Sequence, residues 1–339
     1  MTLPIADTGA DAGPKTYLSG VQPSGLQHLG NYFGAIRQHI ELPAREPAEH
    51  FYFIADYHAL TTSRDRDELR NRVRETAITY LALGLDPKLA TLFRQSDVPE
   101  VQEITWLLAT TGGLGLLERA VSFKEKVERG LKPNIGLFLY PVLMAADILA
   151  YDSTLVPVGA DQVQHIEIAQ DLAASFNSVY GEVFRRPSAL LSKEHSKVPG
   201  LDGQKMSKSY GNSLWIFESG KPLAKAIGKI ATDSRPPEEA KDPAGLLLFD
   251  FLALFLAPSE LEDWRERVRR GGVGAPGYGH LKQRLIAAVE ERFAPARARR
   301  AELLADPAEV DRILEQGARK ARARAVATRD RAFRACGLR

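Results

Sequence analysis

The amino-acid sequence predicts an α/β protein with a parallel sheet, followed by a second region made of helices. Up to about residue 180, short apolar segments alternate with segments of helical spacing. This is the order expected when helices cross between parallel strands. From Pro222 onward the helical patterns continue with little strand signal. The chain has 339 residues, enough for one large or two ordinary domains.

The predicted strands are short, mostly apolar segments, and residues 51–55 form a continuous apolar run typical of a strand buried on both faces. These strands lie at residues 17–21, 51–55, 89–93 and 154–158. The predicted helices have apolar residues three and four positions apart. They lie at residues 31–41, 65–83, 100–110, 134–151 and 161–180. Residues 271–279 are rich in glycine and predict a loop between two later helices.

The composition indicates a globular protein. Hydrophobic residues make up 44% of the chain and charged residues 26%, which excludes disordered and collagen-like classes. Cys336 is the single cysteine, so the sequence excludes an intramolecular disulfide and a cysteine-rich zinc or iron–sulfur site. We therefore expect a reducing, cytoplasmic location. Residues 1–14 lack the features of a signal peptide and predict a flexible tail, and no apolar run is long enough to span a membrane.

The charge is distributed unevenly along the chain. Residues 292–339 contain 13 Lys/Arg and 6 Asp/Glu, whereas the remaining residues contain 32 and 37. A basic tract on an otherwise acidic chain favours a polyanionic partner. The alternative is a solvent-exposed helix rich in alanine and arginine.

The first candidate site is the segment GVQPSGLQHLGNY at residues 20–32. A predicted strand enters a loop in which Gly25 and Gly30 allow a phosphate or sugar to approach the backbone. The helix that begins near Asn31 directs its free N–H groups toward such a ligand, and His28 adds a side-chain donor. Taken alone, the segment is also compatible with an ordinary strand-to-helix turn.

The second candidate site is the segment QKMSKS at residues 204–209. Lys205 and Lys208 lie three positions apart among hydroxyl side chains, a combination suited to binding a polyphosphate whose charge increases in a transition state. Taken alone, this segment is also compatible with a charged surface loop.

Together the two segments resemble the paired signatures of class I aminoacyl-tRNA synthetases. HLGN at residues 28–31 stands where that class has its HIGH-type tetrapeptide, and KMSKS at residues 205–209 matches at every position. Further collinear segments are similar to the tryptophanyl-tRNA synthetase family over about residues 16–339. They are GVQPSGLQHLGNYFG at 20–34, DYHALT at 56–61, FKEK at 123–126, YPVLMAADIL at 140–149, VPVGADQVQH at 156–165, ATDS at 231–234 and DRILEQGA at 311–318.

The resemblance implies a Rossmann-like catalytic domain at residues 15–212, with a helical dimerisation insertion at about residues 100–128, and an all-helical anticodon-binding domain at residues 213–339. It implies that ATP activates tryptophan as an adenylate with release of pyrophosphate, and that tryptophan then passes to tRNA(Trp). A homodimer is expected, and its contact patch could include Leu107, Leu108, Leu114, Leu116 and Leu117, with the alternative that these leucines belong to the internal core. Mg²⁺ is expected with the ATP phosphates, without a protein cage for the metal.

The resemblance also implies roles for individual residues. The catalytic group comprises His28, Asn31, Lys205 and Lys208. The ATP-binding group comprises Gln22, Pro23, Ser24, His28, Gly30, Asn31, Gly159, Ala160, Asp161, Val198, Lys205, Met206, Ser207, Lys208 and Ser209. The tryptophan-binding group comprises Gln22, His58, Tyr140, Met144, Asp147, Val156, Val158 and Gln162.

Asp147 also stands out on physical grounds. The indole N–H is a donor that needs an acceptor in a buried site, and a carboxylate on the apolar helix predicted at residues 134–151 needs a partner or a function. Met144 lies one helical turn before it, on the same face. Without the resemblance, Asp147 could equally cap a helix or pair with an arginine.

Two departures from the family pattern concern the ATP site. Ala160 replaces an acidic residue common in relatives, and Tyr210-Gly211-Asn212 replaces Asp-Pro-Asn after KMSKS. A tyrosyl-tRNA synthetase is the nearest alternative, but tyrosine-specific relatives commonly have Gln at the position of Met144. A synthetase-like binding or regulatory protein is a second alternative. The missing GxGxxG disfavours a Rossmann oxidoreductase.

Overall fold

The structure is a computed structural model that describes residues 14–118, 134–159, 162–191 and 198–339. Several predictions from the sequence concern residues outside these ranges. They are the N-terminal tail up to residue 13, the FKEK segment, the end of the proposed insertion, and the two ATP-site residues Ala160 and Asp161.

The centre of the fold is a sheet of five parallel strands in the order β3-β2-β1-β4-β5. This is the strand order of a doubly wound, Rossmann-like fold, in which the chain reverses its direction of winding beside the first strand. The α/β prediction is therefore confirmed. The strands are β1 (Thr16–Val21), β2 (Glu49–Ile54), β3 (Thr91–Arg94), β4 (Leu155–Val158) and β5 (Ser188–Leu191).

The strand β5 was absent from the sequence prediction. It has four residues, lies at the edge of the sheet and is only partly buried. Because an edge strand has one strand neighbour and solvent on its other side, it does not need the continuous apolar run that identifies a central strand. The predicted strand before residue 94 is correct in kind, but β3 begins at Thr91 rather than at residue 89.

Helices cover both faces of the sheet, and the described part of the chain after residue 212 contains helices without a strand of the sheet. The helix after β1 is continuous but changes pitch through a π-helical segment at Tyr32–Ile36. The α-helices are α1 (Leu29–Asn31), α2 (Arg37–Arg45), α3 (Asp56–Ala59), α4 (Arg66–Ala82), α5 (Glu100–Thr111), α6 (Leu114–Glu118), α7 (Ile135–Ala150), α8 (Val163–Tyr180), α9 (Gly220–Gly228), α10 (Leu247–Leu252), α11 (Pro258–Arg270), α12 (Tyr278–Ala305) and α13 (Pro307–Ala335).

Two apolar cores lie on opposite faces of the sheet, and the alternation of side chains along β2 separates them. Tyr52 and Ile54 belong to the core that also contains α4 and helices from the second part of the chain. Phe51 and Phe53 belong to the core formed with α5, α7 and α8. β2 is thus buried on both faces, as its apolar sequence predicts.

The last helix, α13, returns to the sheet. A Cβ added at Gly317 would lie 1.9 Å from the carbonyl oxygen of Leu92, so the helix backbone approaches β3 more closely than any residue with a side chain allows. Residues Ala318, Ala321 and Ala325 continue this contact into the second core. The boundary between domains at residue 212 stays a proposal, since part of the later region packs directly on the sheet.

The basic C-terminal tract forms ion pairs with the first part of the chain. Arg322 makes a forked contact with Glu100, whose side chain is 2% exposed. Further pairs of this kind are Arg300–Glu75, Arg324–Glu49, Arg329–Glu103 and Arg331–Asp152, at 2.5–2.8 Å. These arginines balance acidic groups of the same chain, so the expected polyanionic partner has to use other cations or compete for these.

The predicted dimer patch needs a correction. Leu107, Leu108 and Leu117 are buried in the second core, because they lie on the inward faces of α5 and α6. Leu114 is 63% exposed, and Trp106 on α5 is 71% exposed. Among the helices described, none is long and apolar enough to cross a membrane.

Candidate active site

The candidate site lies at the carboxyl ends of β1, β2 and β3. Because these strands are parallel, the loops that follow them all lie at the same edge of the sheet. The loop after β1 leads through residues 22–28 into α1. The chain after β2 forms α3, and the chain after β3 forms a short 3₁₀ turn, Gln95–Asp97. The strand order therefore places the first signature segment, α3 and this 3₁₀ turn at the same edge of the sheet.

His28 caps the helix that follows β1. Its Nδ1 accepts a hydrogen bond from the backbone N–H of Asn31 at 3.3 Å, and the Asn31 side chain accepts from the backbone N–H of His28 at 3.1 Å. Burial lowers the pKa of His28 to about 4, with a smaller contribution from the charge of Lys208. The imidazole is therefore neutral at pH 7, and because Nδ1 accepts, Nε2 carries the proton and is a donor.

Gly30 brings the two signature segments together. A Cβ at this position would lie 3.0 Å from two atoms of the His28 ring, so a larger residue would displace the imidazole. The backbone N–H of Gly30 lies 3.4 Å from the sulfur of Met206, which is the buried residue of KMSKS. Met206 therefore anchors the second segment beneath the start of α1.

Lys208 contacts the first loop directly. Its ammonium donates to the backbone carbonyl of Ser24 at 2.5 Å and lies 5.9 Å from the ring centre of Trp215. The same ring is 6.1 Å from that of His28, and the backbones of His28 and Trp215 form an antiparallel bridge. Partial burial, and then the charge of Arg72, lower the pKa of Lys208.

Asn212 determines the shape of the loop that carries KMSKS. Its Oδ1 accepts from the backbone N–H of Ser207 at 2.8 Å, and its Nδ2 donates to the Asp202 carboxylate at 2.8 Å and to the carbonyl of Lys205 at 3.2 Å. Asn212 is 4% exposed, so these bonds are protected from water. The departure Tyr210-Gly211-Asn212 thus retains the residue that closes the loop.

The remaining residues of the predicted ATP group differ in exposure. Pro23, Val198 and Met206 are buried, whereas Gln22, Lys205 and Ser209 are exposed. The hydroxyls of Ser207 and Ser209 lie 2.8 Å apart. The backbone N–H of Gln162 donates to the carbonyl of Gly159 at the start of α8.

Asp147 lies on α7 with its carboxylate 1% exposed and receives two side-chain donors. His58 Nε2 lies 2.9 Å from Oδ2, and the amide of Gln95 donates to both oxygens at 2.9 and 2.8 Å. Burial raises the pKa of Asp147, and these donors oppose that rise. The partners are thus a histidine and a glutamine, rather than the helix cap or arginine that remained open from sequence.

Of the other residues in the predicted tryptophan group, Tyr140 contacts the histidine that bonds to this carboxylate. The rings of His58 and Tyr140 meet edge to face at 6.3 Å, and the Tyr140 hydroxyl is 3.5 Å from His165 Nε2. Met144 is half-buried against the second core, and Val156 is buried on β4. The remaining three members differ in exposure: Val158 is half-buried, whereas Gln22 and Gln162 are exposed.

Sequence reasoning missed three residues of this region: Gln95, Asn212 and Trp215. Gln95 is fully buried, and its Oε1 accepts from the backbone N–H groups of Tyr57 and His58. A signal was present for Gln95, since a polar residue directly after a buried strand lies at the edge where sites form. Trp215 carried no such signal, because it contacts His28 on a loop that is distant in sequence. The contacts of Asn212 lie within its own loop, but they depend on the conformation of that loop, which residue spacing does not give.

The described residues of the site are hydrogen-bond donors and cations that suit phosphate, rather than metal ligands. Within the described ranges, no group of three or more His, Cys, Asp or Glu side chains could hold a metal ion. His28, Lys205 and Lys208 are donors or cations, which suit phosphate oxygens. These residues do not fit a protein-held Mg²⁺, which prefers oxygen ligands.

The chain is similar to known proteins in sequence and in fold. The family model described as tRNA synthetases class I (W and Y) matches residues 11–294. A tryptophan–tRNA ligase of Rhodopirellula baltica is 55% identical over 322 residues, which cover 95% of this chain and 99% of the relative. The crystal structure of tryptophanyl-tRNA synthetase from Campylobacter jejuni, complexed with ADP and tryptophan, has a TM-score of 0.89 at 44% identity, covering 95% of this chain and 99% of that one. The crystal structure of tryptophanyl-tRNA synthetase from Mycoplasma pneumoniae has a TM-score of 0.76 at 29% identity, covering 96% of this chain and 99% of that one. This chain belongs to the tryptophanyl-tRNA synthetase family of class I tRNA synthetases.

Proposed function

We propose that this protein is an aminoacyl-tRNA ligase that joins tryptophan to tRNA(Trp) in two steps. In the first, a carboxylate oxygen of tryptophan attacks the α-phosphorus of ATP, and pyrophosphate leaves with the electron pair of the broken P–O bond. In the second, the terminal ribose hydroxyl of tRNA attacks the carbonyl carbon of tryptophanyl-adenylate, and AMP leaves as the hydroxyl loses its proton. The observation that carries the proposal is the buried Asp147 carboxylate, held by His58 and Gln95, which calls for a substrate side chain with a hydrogen-bond donor.

The two signature loops supply positioning and charge for the first step, which needs little covalent help from protein. His28 Nε2 would donate to phosphate oxygens, a role supported by its neutral state and by the cap that orients its ring. Lys205 and Lys208 would stabilise the charge of the leaving pyrophosphate. Gly30 and Asn31 would border the nucleotide at the N-terminus of the helix, where the helix dipole favours anions. The expected free N–H groups are not available there, because those of residues 29–31 already bond to Leu214, Met206 and His28.

The remaining predicted ATP-site residues would form the walls of the nucleotide site. The predicted adenine and ribose neighbours are Val198, Gly159, Ala160 and Asp161, of which the last two lie outside the described residues. Mg²⁺ would enter as part of the substrate, bound to ATP phosphates and water.

Asp147 would accept a hydrogen bond from the indole N–H of tryptophan, since indole nitrogen is only a donor. Tyr140 and Gln162 are the candidates for the substrate ammonium, and Gln22 for either substrate. Met144 lies one turn from Asp147, and its thioether suits contact with an aromatic ring. With Val156 and Val158 it would complete the apolar walls. A phenol O–H could also bond to a carboxylate, so tyrosine is the amino acid to be tested against tryptophan.

The helical region at residues 213–339 would bind the anticodon arm of tRNA, and the protein would act as a homodimer. Support for the dimer comes from exposed apolar side chains on either side of the residues 119–133. Trp106 is 71% exposed, Leu114 is 63% exposed and Ile135 is 78% exposed, and such large apolar groups favour burial in an interface. A cytoplasmic location stays a prediction of the composition.

Amino-acid-dependent ATP–pyrophosphate exchange tests the proposal. Exchange with tryptophan and none with tyrosine is the expected result. Exchange with tyrosine would retain the chemistry but overturn the assignment of the pocket. Folded protein that supports exchange with neither amino acid would favour the binding or regulatory alternative. Charging of tRNA(Trp) with labelled tryptophan then tests the second step.

A further inference from the structure

Gln95 connects the end of β3 to both α3 and α7. It is fully buried, and its Oε1 accepts from the backbone N–H groups of Tyr57 at 3.1 Å and His58 at 3.4 Å. Its Nε2 donates to Oδ1 and Oδ2 of Asp147 at 2.9 and 2.8 Å. The orientation of the amide is determined by these partners, because only its oxygen can accept and only its nitrogen can donate.

The donors to Asp147 leave its two oxygens in different states. Among the described residues, Oδ2 accepts from His58 and from Gln95, while Oδ1 accepts from Gln95. A carboxylate has about four acceptor positions, so the remaining position lies on Oδ1. Since the side chain of Asp147 is 1% exposed, bulk water has little access to this position.

We propose that Gln95 is a positioning residue for amino-acid specificity: by bonding to both oxygens of Asp147, it holds the carboxylate so that Oδ1 presents one acceptor to a side-chain N–H of the substrate. The inference rests on the proposed function, because it names the residue that makes the Asp147 pocket selective. Gln95 does not need to touch the substrate for this role.

The physical reason lies in the two sides of the amide. The acceptor side is tied to the first turn of α3, which also carries His58, so one side chain sets the positions of both donors to Asp147. A carboxylate with a single lateral partner is free to rotate about its terminal torsion, whose energy wells are broad. A three-centre hydrogen bond from one amide N–H to both oxygens restricts that rotation and leaves a buried acceptor that rejects a substrate lacking the donor.

The primary test compares tryptophan with its analogue in which sulfur replaces the indole N–H, 3-(1-benzothiophen-3-yl)-L-alanine, by pyrophosphate exchange. A site built around a hydrogen bond can reject such an analogue by up to about 10⁴-fold in kcat/KM. We expect Gln95→Met to reduce this selectivity at least about tenfold, through a higher KM for tryptophan, with the KM for ATP unchanged. Gln170→Met is the matched control, because Gln170 donates to a backbone carbonyl far from the site on α8.

A second variant covers the outcome in which Gln95→Met does not fold. Gln95→Glu keeps the oxygen that faces α3 but places a carboxyl against Asp147, and two carboxylates at this distance share a proton. We expect its KM for tryptophan to be raised at pH 8 and to fall toward the wild-type value as the pH is lowered. The KM of the wild type for tryptophan should stay constant over the same pH range. A residue with only a structural role would not give this pH-dependent recovery.

The outcomes separate the two levels of the proposal. If wild-type protein does not activate tryptophan, the proposed function fails. If the wild type is selective for tryptophan and folded Gln95→Met is equally selective within twofold, the role of Gln95 is overturned while the function stands. The same holds if Gln95→Glu shows a KM for tryptophan that does not change with pH.

Discussion

The ammonium of Lys208 lies 2.5 Å from the carbonyl oxygen of Ser24, although these residues are 184 positions apart in the chain. Ser24 belongs to the loop after β1, and Lys208 belongs to KMSKS. The contact joins the two signature segments directly. The Trp215 ring lies beside both Lys208 and His28. A neutral carbonyl is a weaker partner for a lysine than a phosphate, so we expect the polyphosphate of ATP to replace Ser24 as the partner of Lys208.

Replacing Lys208 tests the role of this charge. Lys208→Ala should lower kcat for tryptophan-dependent pyrophosphate exchange by about 10²–10³-fold, the effect typical of removing one group that stabilises transition-state charge. The KM for tryptophan should stay within about twofold. Lys225→Ala is the control, because Lys225 is an exposed lysine on α9. Activity of Lys208→Ala within threefold of the wild type would contradict the assignment.

Replacing Asp147 tests the indole acceptor. In Asp147→Asn, the new NH₂ group would face the donors of His58 and Gln95, because both already point at this carboxylate. We expect the KM for tryptophan to rise at least about 10²-fold, with the KM for ATP unchanged. Asp171→Asn, at an exposed position on α8, is the control. Steady-state exchange with varied tryptophan measures the effect, and an unaltered KM would remove Asp147 from the pocket.

The buried histidines predict how stability depends on pH. Burial lowers the pKa of His39 to about 4 from its ordinary 6.5, and His28 is shifted to the same value. Between pH 4 and 6.5 the unfolded chain therefore binds more protons than the folded chain, so this contribution to stability is lost as the pH falls through that window. Each histidine contributes a slope of up to about 1.4 kcal/mol per pH unit.

His39→Gln isolates one of these contributions. The variant loses the contact of His39 with the Tyr80 hydroxyl, so it should be less stable than the wild type at pH 7. Its free energy of unfolding should nevertheless fall less steeply between pH 6 and 4.5, because one buried imidazole has been removed. Urea unfolding at several pH values measures both quantities. Equal slopes for the two proteins would show that His39 does not titrate as proposed.

Gly317 tests the docking of the last helix. A Cβ there would lie 1.9 Å from the carbonyl oxygen of Leu92, whereas one at Gly279 in α12 would meet no atom within 4 Å. Gly317→Ala should destabilise the protein by about 1–3 kcal/mol, since the backbone must move apart. Gly279→Ala should be neutral or stabilising by up to about 1 kcal/mol. Thermal unfolding of both variants provides the comparison, and an unchanged melting temperature for Gly317→Ala would contradict the close packing.

Sedimentation velocity at micromolar concentration tests the homodimer. The wild type should sediment as a dimer, and Trp106→Glu should shift it toward monomer, because a charge buried in an apolar interface is costly. Val273→Glu is the control, because Val273 is fully exposed on the loop before α12. A monomeric wild type would overturn the dimer, and a dimeric Trp106→Glu would move the interface elsewhere.

Much of the fold could be predicted from sequence because the central strands and crossover helices carry local patterns. The apolar run at β2 and the helical spacing of α4 and α8 each follow from burial that the sequence itself records. The edge strand β5 does not carry such a pattern, because one side of it faces solvent. For the leucines of α5 and α6, the sequence left an interface and the internal core as alternatives, since apolar spacing does not reveal whether the partner is another helix of the same chain or a second copy.

The candidate site also contains features that local sequence patterns predict and contacts that they do not. Residue type and local spacing were sufficient to identify the two signature segments, the single carboxylate Asp147 on an apolar helix and the excess of positive charge after residue 291. The folding of the whole chain is what brings Gln95 and His58 to Asp147 and pairs the terminal arginines with acids near the sheet. Parallel strands bring their carboxyl ends to one edge whatever the length of chain between them, and contacts between such distant residues leave no local pattern to read.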